Sequence, residues 1–156
     1  GKPTIFGVCS GVVAGLVAIT PAAGFVSVVP AIIIGLLVSV VCFITVTVIK
    51  PLFGYDDSLD AFGVHCVGGI WGALATGLFA SKLVNPAGAN GVFFGNPKQF
   101  LIQLLAVGVT IVYTGVVTLI IYKLIDIFIG VRVDEKSEAI GLDLTQHHER
   151  AYTILE

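Results

Sequence analysis

The chain has 156 residues, 56% of them hydrophobic and only 12% charged. A globular domain usually carries about 25% charged residues, so these side chains cannot be hidden in one water-soluble core, and the composition is that of an integral membrane protein. A formal charge of −2 with no basic run excludes nucleic acid and argues against an acidic substrate.

Cys9, Cys42 and Cys66 all lie within apolar runs at unpaired spacing, which argues against a disulfide framework and leaves them as small packing residues. No cleavable leader is expected from the short Lys2-Pro3 lead that enters the first apolar run. The chain contains no methionine, as expected for a piece of a longer product, although loss of an initiator Met before Gly1 would leave the same start.

Apolar runs of roughly 17–25 residues can cross a bilayer as helices. Four occur, over about residues 5–20, 29–49, 61–81 and 101–129. In the first, Gly7, Gly11 and Gly15 recur every four residues, a pattern that lets helix backbones approach closely; the general abundance of glycine in membrane helices is the alternative. Pro21 stops this span and residues 21–30 form an uncharged turn. The second span, rich in Ile and Val, is expected to face lipid over much of its surface, and Lys50-Pro51 ends it.

The third span begins at Asp56-Asp57-Ser58-Leu59-Asp60. Asp57 and Asp60 read as a helix cap with an acidic first turn, where carboxylates accept backbone N–H bonds; attraction of a cation is the second reading. Within the span lie His65 and, three, four and seven residues on, Gly68, Gly69 and Gly72. At regular helical spacing all four share a face, so the histidine is flanked either by a closely packed helix or by an open lumen. An ionisable residue inside a membrane-length helix marks a functional site. Its imidazole has one donor and one acceptor nitrogen and exchanges a proton near physiological pH; a buried histidine bonded to a neighbouring helix is the structural alternative. No second ligand stands at metal spacing around it, and no hydrolytic set or phosphate-binding loop is visible. Neither a metal, a cofactor nor an enzymatic activity is expected.

Residues 81–99 form a loop marked by Asn85-Pro86 and Asn96-Pro97. The fourth span is longer than a bilayer requires, so it is expected to tilt or to project into water. From Arg132 the composition turns polar. The chain is therefore divided into a transmembrane region, 1–130, and a soluble tail, 131–156. Four spans put both termini on one side, and Lys2, Lys50, Lys123, Arg132, Lys136 and Arg150 outnumber Lys82 and Lys98 across the membrane. The positive-inside rule then places the C-terminus in the cytoplasm.

Three segments together resemble the ammonium transporter/methylammonium permease/Rhesus superfamily, and its microbial branch in particular. They are Gly15-Leu16-Val17-Ala18-Ile19-Thr20-Pro21, Asp56 through His65, and the tail pattern Gly141-Leu142-Asp143, His147, Glu149 and Ala151-Tyr152. The resemblance implies an all-α polytopic fold in the cell membrane, in which these four helices correspond to the last four of eleven, and a homotrimer with one pore in each protomer. It implies that His65 is the second of two pore histidines that deprotonate ammonium and relay its proton. Gly68, Gly69 and Gly72 are then read as small pore-facing residues. The first histidine and the outer ammonium site would lie in an N-terminal half absent from this sequence. The implied partners are ammonium or ammonia, membrane lipid, that N-terminal half and, through the tail, a cytoplasmic PII-type signal protein. A non-transporting ammonium sensor that recruits a signalling partner is the alternative function. Two positions depart from the family pattern: Cys66 and His148 stand where glycine is usual.

Overall fold

Three apolar helices meet on small residues. The computed structural model describes residues 4–150, and every regular element there is helical. Four helices are long and apolar enough to cross a membrane: α1 (Ile5–Ala22), α2 (Val28–Phe53), α3 (Phe62–Phe79) and α4 (Pro97–Phe128). Two short helices follow, α5 (Glu135–Ile140) and α6 (Leu142–Thr145). By close packing the chain divides into two units, Gly1–Thr110 and Ile111–Glu156.

In the first unit α1, α2 and α3 pack together around Ala14, Ala18, Ala22, Ile34, Val38, Cys42, Val64 and Ala75. Lipid tails are as apolar as these side chains, so close van der Waals approach, rather than exclusion of water, has to hold such helices together. Ala14, Ala18 and Ala22 repeat every four residues and supply a flat face on α1. The glycine stripe of α1 lies beside this face: a methyl group added at Gly11 or Gly15 would meet nothing within 4 Å. On α2 the packed stripe is Ile34, Val38, Cys42 and Thr45, while Val28, Ile32, Leu36, Val40, Phe43 and Val48 are exposed. Trp71 of α3 donates its indole N–H to the Ile34 carbonyl at 3.2 Å.

Three helices extend beyond their expected ends, each at a proline. Pro21 does not stop α1, whose last turn tightens over Thr20–Ala22 and carries the helix through it. Pro97 opens α4 four residues before the expected start, because the first helical position has no intrahelical use for an N–H. Pro51 does not stop α2. The backbone widens over Thr45–Ile49 into a turn in which the Lys50 N–H reaches back five residues to the Thr45 carbonyl. A wide turn of this kind adds one residue to the helical circuit and lets the helix run through the proline to Phe53. Gly54, at φ +62°, ends it.

In the second unit α4 continues to Phe128. At 32 residues the whole helix is about 48 Å long, well beyond a hydrocarbon core of about 30 Å. Past it, Asp134 caps α5, accepting the Ser137 N–H at 2.9 Å and its hydroxyl at 2.7 Å. These bonds hold the Asp134 carboxyl below its ordinary value. Arg132 grips Glu138 through two bonds of 3.0 Å. Gly141 adopts φ +113°, and a side chain there would also strike the Asp143 carboxylate.

His148 adopts φ +56°. A β-carbon in that region costs roughly 1–2 kcal/mol. His148→Gly is therefore expected to stabilise the local turn by about 1 kcal/mol. Slower hydrogen exchange at the Glu149 amide, which bonds the Asp143 carbonyl at 2.9 Å, would report the gain; unchanged exchange would count against it.

Candidate functional site around His65

The site is built where α2 turns back into α3. Asp57 caps α3 with both carboxylate oxygens, accepting the Ala61 N–H at 2.9 Å and the Phe62 N–H at 3.0 Å. A carboxylate at this position satisfies donors that the helix cannot and opposes the positive end of its dipole. Asp60 does something different from capping. Its carboxylate pairs with the Lys50 ammonium at 2.7 Å, and its backbone adopts φ +55°. The same ammonium donates to the Asp57 carbonyl at 2.6 Å. Tyr55 lays its ring edge-on to Phe62 with centroids 5.4 Å apart, and its buried hydroxyl has no hydrogen-bond partner among the described residues.

Directly after Asp60 the backbone of α3 also widens, over Phe62–Cys66, with the Val67 N–H donating to the Phe62 carbonyl. Wide turns of this type are rare and recur at functional sites. Within this one Gly63 and Val64 are buried, while His65 and Cys66 are exposed. A methyl group at Gly63 would fall 2.7 Å from the Val46 side chain in the wide turn of α2. The two irregular turns thus lie directly against each other. The Cys42 thiol approaches the Val64 carbonyl at 4.0 Å.

The structure separates the three glycines grouped with His65 at regular spacing. Gly68 and Gly72 are buried: a methyl at Gly68 would contact Val17, Cys42 and Val38, and one at Gly72 would lie 2.9 Å from the Ala18 carbonyl carbon. Both serve close helix packing, the first of the two expected alternatives. At Gly69 an added methyl would meet nothing within 4 Å. Gly68 and Gly69 are neighbours about 100° apart around the axis, so the packed face of α3 takes Gly68 and Gly72 and leaves Gly69 open, while His65 lies within the wide turn, outside the regular course of the helix.

An apolar groove of about 500 Å³ runs between α1, α2 and α3, with Ser10, Gly11, Ser39, Phe43, Asp60 and Val64 among its walls. His65 is absent from that lining. The imidazole stands on an open face instead, and among the described residues it makes no hydrogen bond or ion pair. The described residues hold no cluster of three metal-ligating side chains.

In the second unit Gly141, Leu142 and Asp143 form the start of α6, and His147 and Glu149 are exposed beyond it. Ala151 and Tyr152 lie outside the described residues. Sequence reasoning missed Lys50 as a participant. Its signal was a lone cation at the end of an apolar span, ten residues before an aspartate.

A family model described as the Ammonium Transporter Family matches residues 1–152. The chain is 52% identical over 151 residues to an ammonium transporter of Bacillus subtilis, covering 97% of this chain and 37% of that protein. It is 49% identical to ammonium transporter Amt1 of Archaeoglobus fulgidus, covering 98% and 38%. Among solved structures, Mep2 of Saccharomyces cerevisiae superposes with a TM-score of 0.79 at 36% identity, over 86% of this chain and 31% of that one. An R452D,S453D mutant of Candida albicans Mep2 gives 0.82 at 32% identity, over 100% and 37%. This chain thus spans about a third of the length of the relatives that it matches.

Proposed function

The chain belongs to the ammonium transporter family, and on that footing we propose that it forms part of the wall of a path for ammonium or ammonia across a bilayer, with His65 taking up and handing on a proton. The observation that carries this reading is the placing of His65: exposed, without a polar partner among the described residues, at a wide turn of a bilayer-length apolar helix. Hydrocarbon cannot solvate an imidazole N–H, so such a side chain belongs against a polar lumen or a partner group. In this reading the opposite wall, with a second histidine, belongs to the part of the relatives' length that this chain does not span. Gly69 is the small residue that leaves room beside His65.

The chemistry follows from solvation. An intact ammonium ion loses its hydration in an apolar passage at high cost, whereas neutral ammonia does not. A histidine pair can accept the proton and pass it along. Potassium has a similar charge and no proton to surrender, so selectivity follows from deprotonation rather than from size alone.

The wider arrangement proposed with it is a homotrimer in the cell membrane, with these helices as the last four of eleven in each protomer. The tail then lies in the cytoplasm, where Gly141, Leu142, Asp143, His147, Glu149, Ala151 and Tyr152 form a regulatory segment that meets a PII-type signal protein.

Flux through the full-length polypeptide in proteoliposomes tests the central reading. Ammonium gradients are expected to drive saturable uptake while potassium gradients of equal size drive none. Ammonium binding, or recruitment of a signalling partner, without flux would instead mark a sensor.

A further inference from the structure

We infer that Lys50 is a positioning residue for His65, pinning the wide turn of α3 in its five-residue register and so fixing where the imidazole projects. The inference rests on the transport reading for its functional consequence and on the geometry alone for its structural one.

A wide turn competes with the regular helix, whose four-residue bonds have better geometry, and long-lived examples need support from their surroundings. Relaxing the Phe62–Cys66 turn to regular spacing would remove one residue from the circuit and rotate the start of α3, with the Asp57–Asp60 turn before it, against the rest of the helix by about 100°. Residues at the packed flank, Gly68 and Gly72, are locked against α1 and α2. The rotation would therefore fall on Phe62–Cys66 itself, and His65 would leave the open face.

Contacts around the start of α3 oppose that relaxation, and Lys50 makes the central ones. Its backbone N–H closes the wide turn of α2 on the Thr45 carbonyl. Its side chain reaches across to the Asp57 carbonyl and the Asp60 carboxylate, immediately before the wide turn of α3. One residue thus closes one irregular turn with its main chain and anchors the other with its ammonium. Asp60 sits at φ +55°, a conformation that a non-glycine residue keeps only when its surroundings hold it there. The pair is partly enclosed, with side chains 27% and 13% exposed, so methionine at position 50 would leave the Asp60 carboxylate without its cation while preserving most of the stem's packing. Val46 against Gly63 completes the contact between the two turns.

The test uses the full-length polypeptide with Lys50→Met, Lys50→Arg, His65→Ala and the double variant Lys50→Met/His65→Ala. Two readouts are taken: ammonium flux in proteoliposomes, and the magnetic resonance signal of the His65 ring, assigned by its disappearance in His65→Ala. Lys50→Met is expected to shift the ring signal and lower flux at least tenfold, and Lys50→Arg to restore both to near the parent. The double variant is expected to lose no more flux than His65→Ala alone. An unmoved ring signal in Lys50→Met, or losses that multiply in the double variant, would overturn the assignment. If Lys50→Met does not assemble, Asp60→Asn provides the same comparison, with the same outcomes deciding. If the parent passes no ammonium, the transport reading fails by itself, and the ring signal alone decides the positioning role.

Discussion

Replacing His65 by alanine in the full-length polypeptide is expected to cut ammonium flux on the order of a hundredfold or more, within the range that a positioned proton-transfer group contributes, and to let potassium begin to pass. The two effects have one cause. With the imidazole in place, the permeating ion surrenders its proton before it enters the apolar passage, and an ion without a proton is turned away. Without it, the site can accept no proton, and water filling the vacated volume offers hydration to any cation of the right size. Parallel measurement of ammonium current and potassium current separates this outcome from simple misfolding, which lowers both. Ammonium carried just as well and as electrogenically, with potassium still excluded, would remove His65 from the mechanism.

Gly72→Val is expected to be among the most damaging single changes to the helix packing. The added β-carbon would lie 2.9 Å from the Ala18 carbonyl carbon and 3.0 Å from its Cα. Both are backbone atoms, so no rotamer change can relieve the contact, and α1 and α3 must part by about 1 Å to restore ordinary separation. Overpacking of this kind typically costs 1–3 kcal/mol and occasionally more; with two rigid main chains in contact, about 3 kcal/mol is expected. Gly69→Ala is the control, since an added methyl there meets nothing within 4 Å. It is expected to be neutral or to gain up to about 1 kcal/mol from better helix propensity. Denaturant titration in mild detergent measures both. Equal tolerance at the two positions would contradict the packing described.

The four long helices were legible because a membrane leaves little choice. Every backbone group must be paired inside the segment, so an apolar run of sufficient length has to be helical. The observed spans, 5–22, 28–53, 62–79 and 97–128, accordingly overlap those expected at 5–20, 29–49, 61–81 and 101–129. Their ends were harder to place. Pro51 reads as a stop under regular spacing, and only the wide turn at Thr45–Ile49 lets α2 continue through it.

His65 was legible as well, since a single ionisable side chain stands out in hydrocarbon-length sequence. Its neighbourhood was not. Grouping Gly68, Gly69 and Gly72 with it assumes 3.6 residues per turn throughout, and the turn at Phe62–Cys66 breaks that assumption just where it matters. No side-chain pattern distinguishes a five-residue bond from a four-residue one; the difference lies in how Gly63 fits against Val46 across two helices. The roles of the aspartates divided for a similar reason. Asp57 caps α3 as local sequence suggests, whereas Asp60 answers to Lys50, a partner supplied by the neighbouring helix.

The central claim is that the open face of α3 bearing His65 faces a conducting path. Electron cryomicroscopy of the full-length polypeptide in a lipid nanodisc tests it most directly. His65 and Gly69 are expected to border an enclosed lumen, with another segment of the polypeptide across from them and no lipid between. Acyl chains lying against the His65 imidazole would contradict the account.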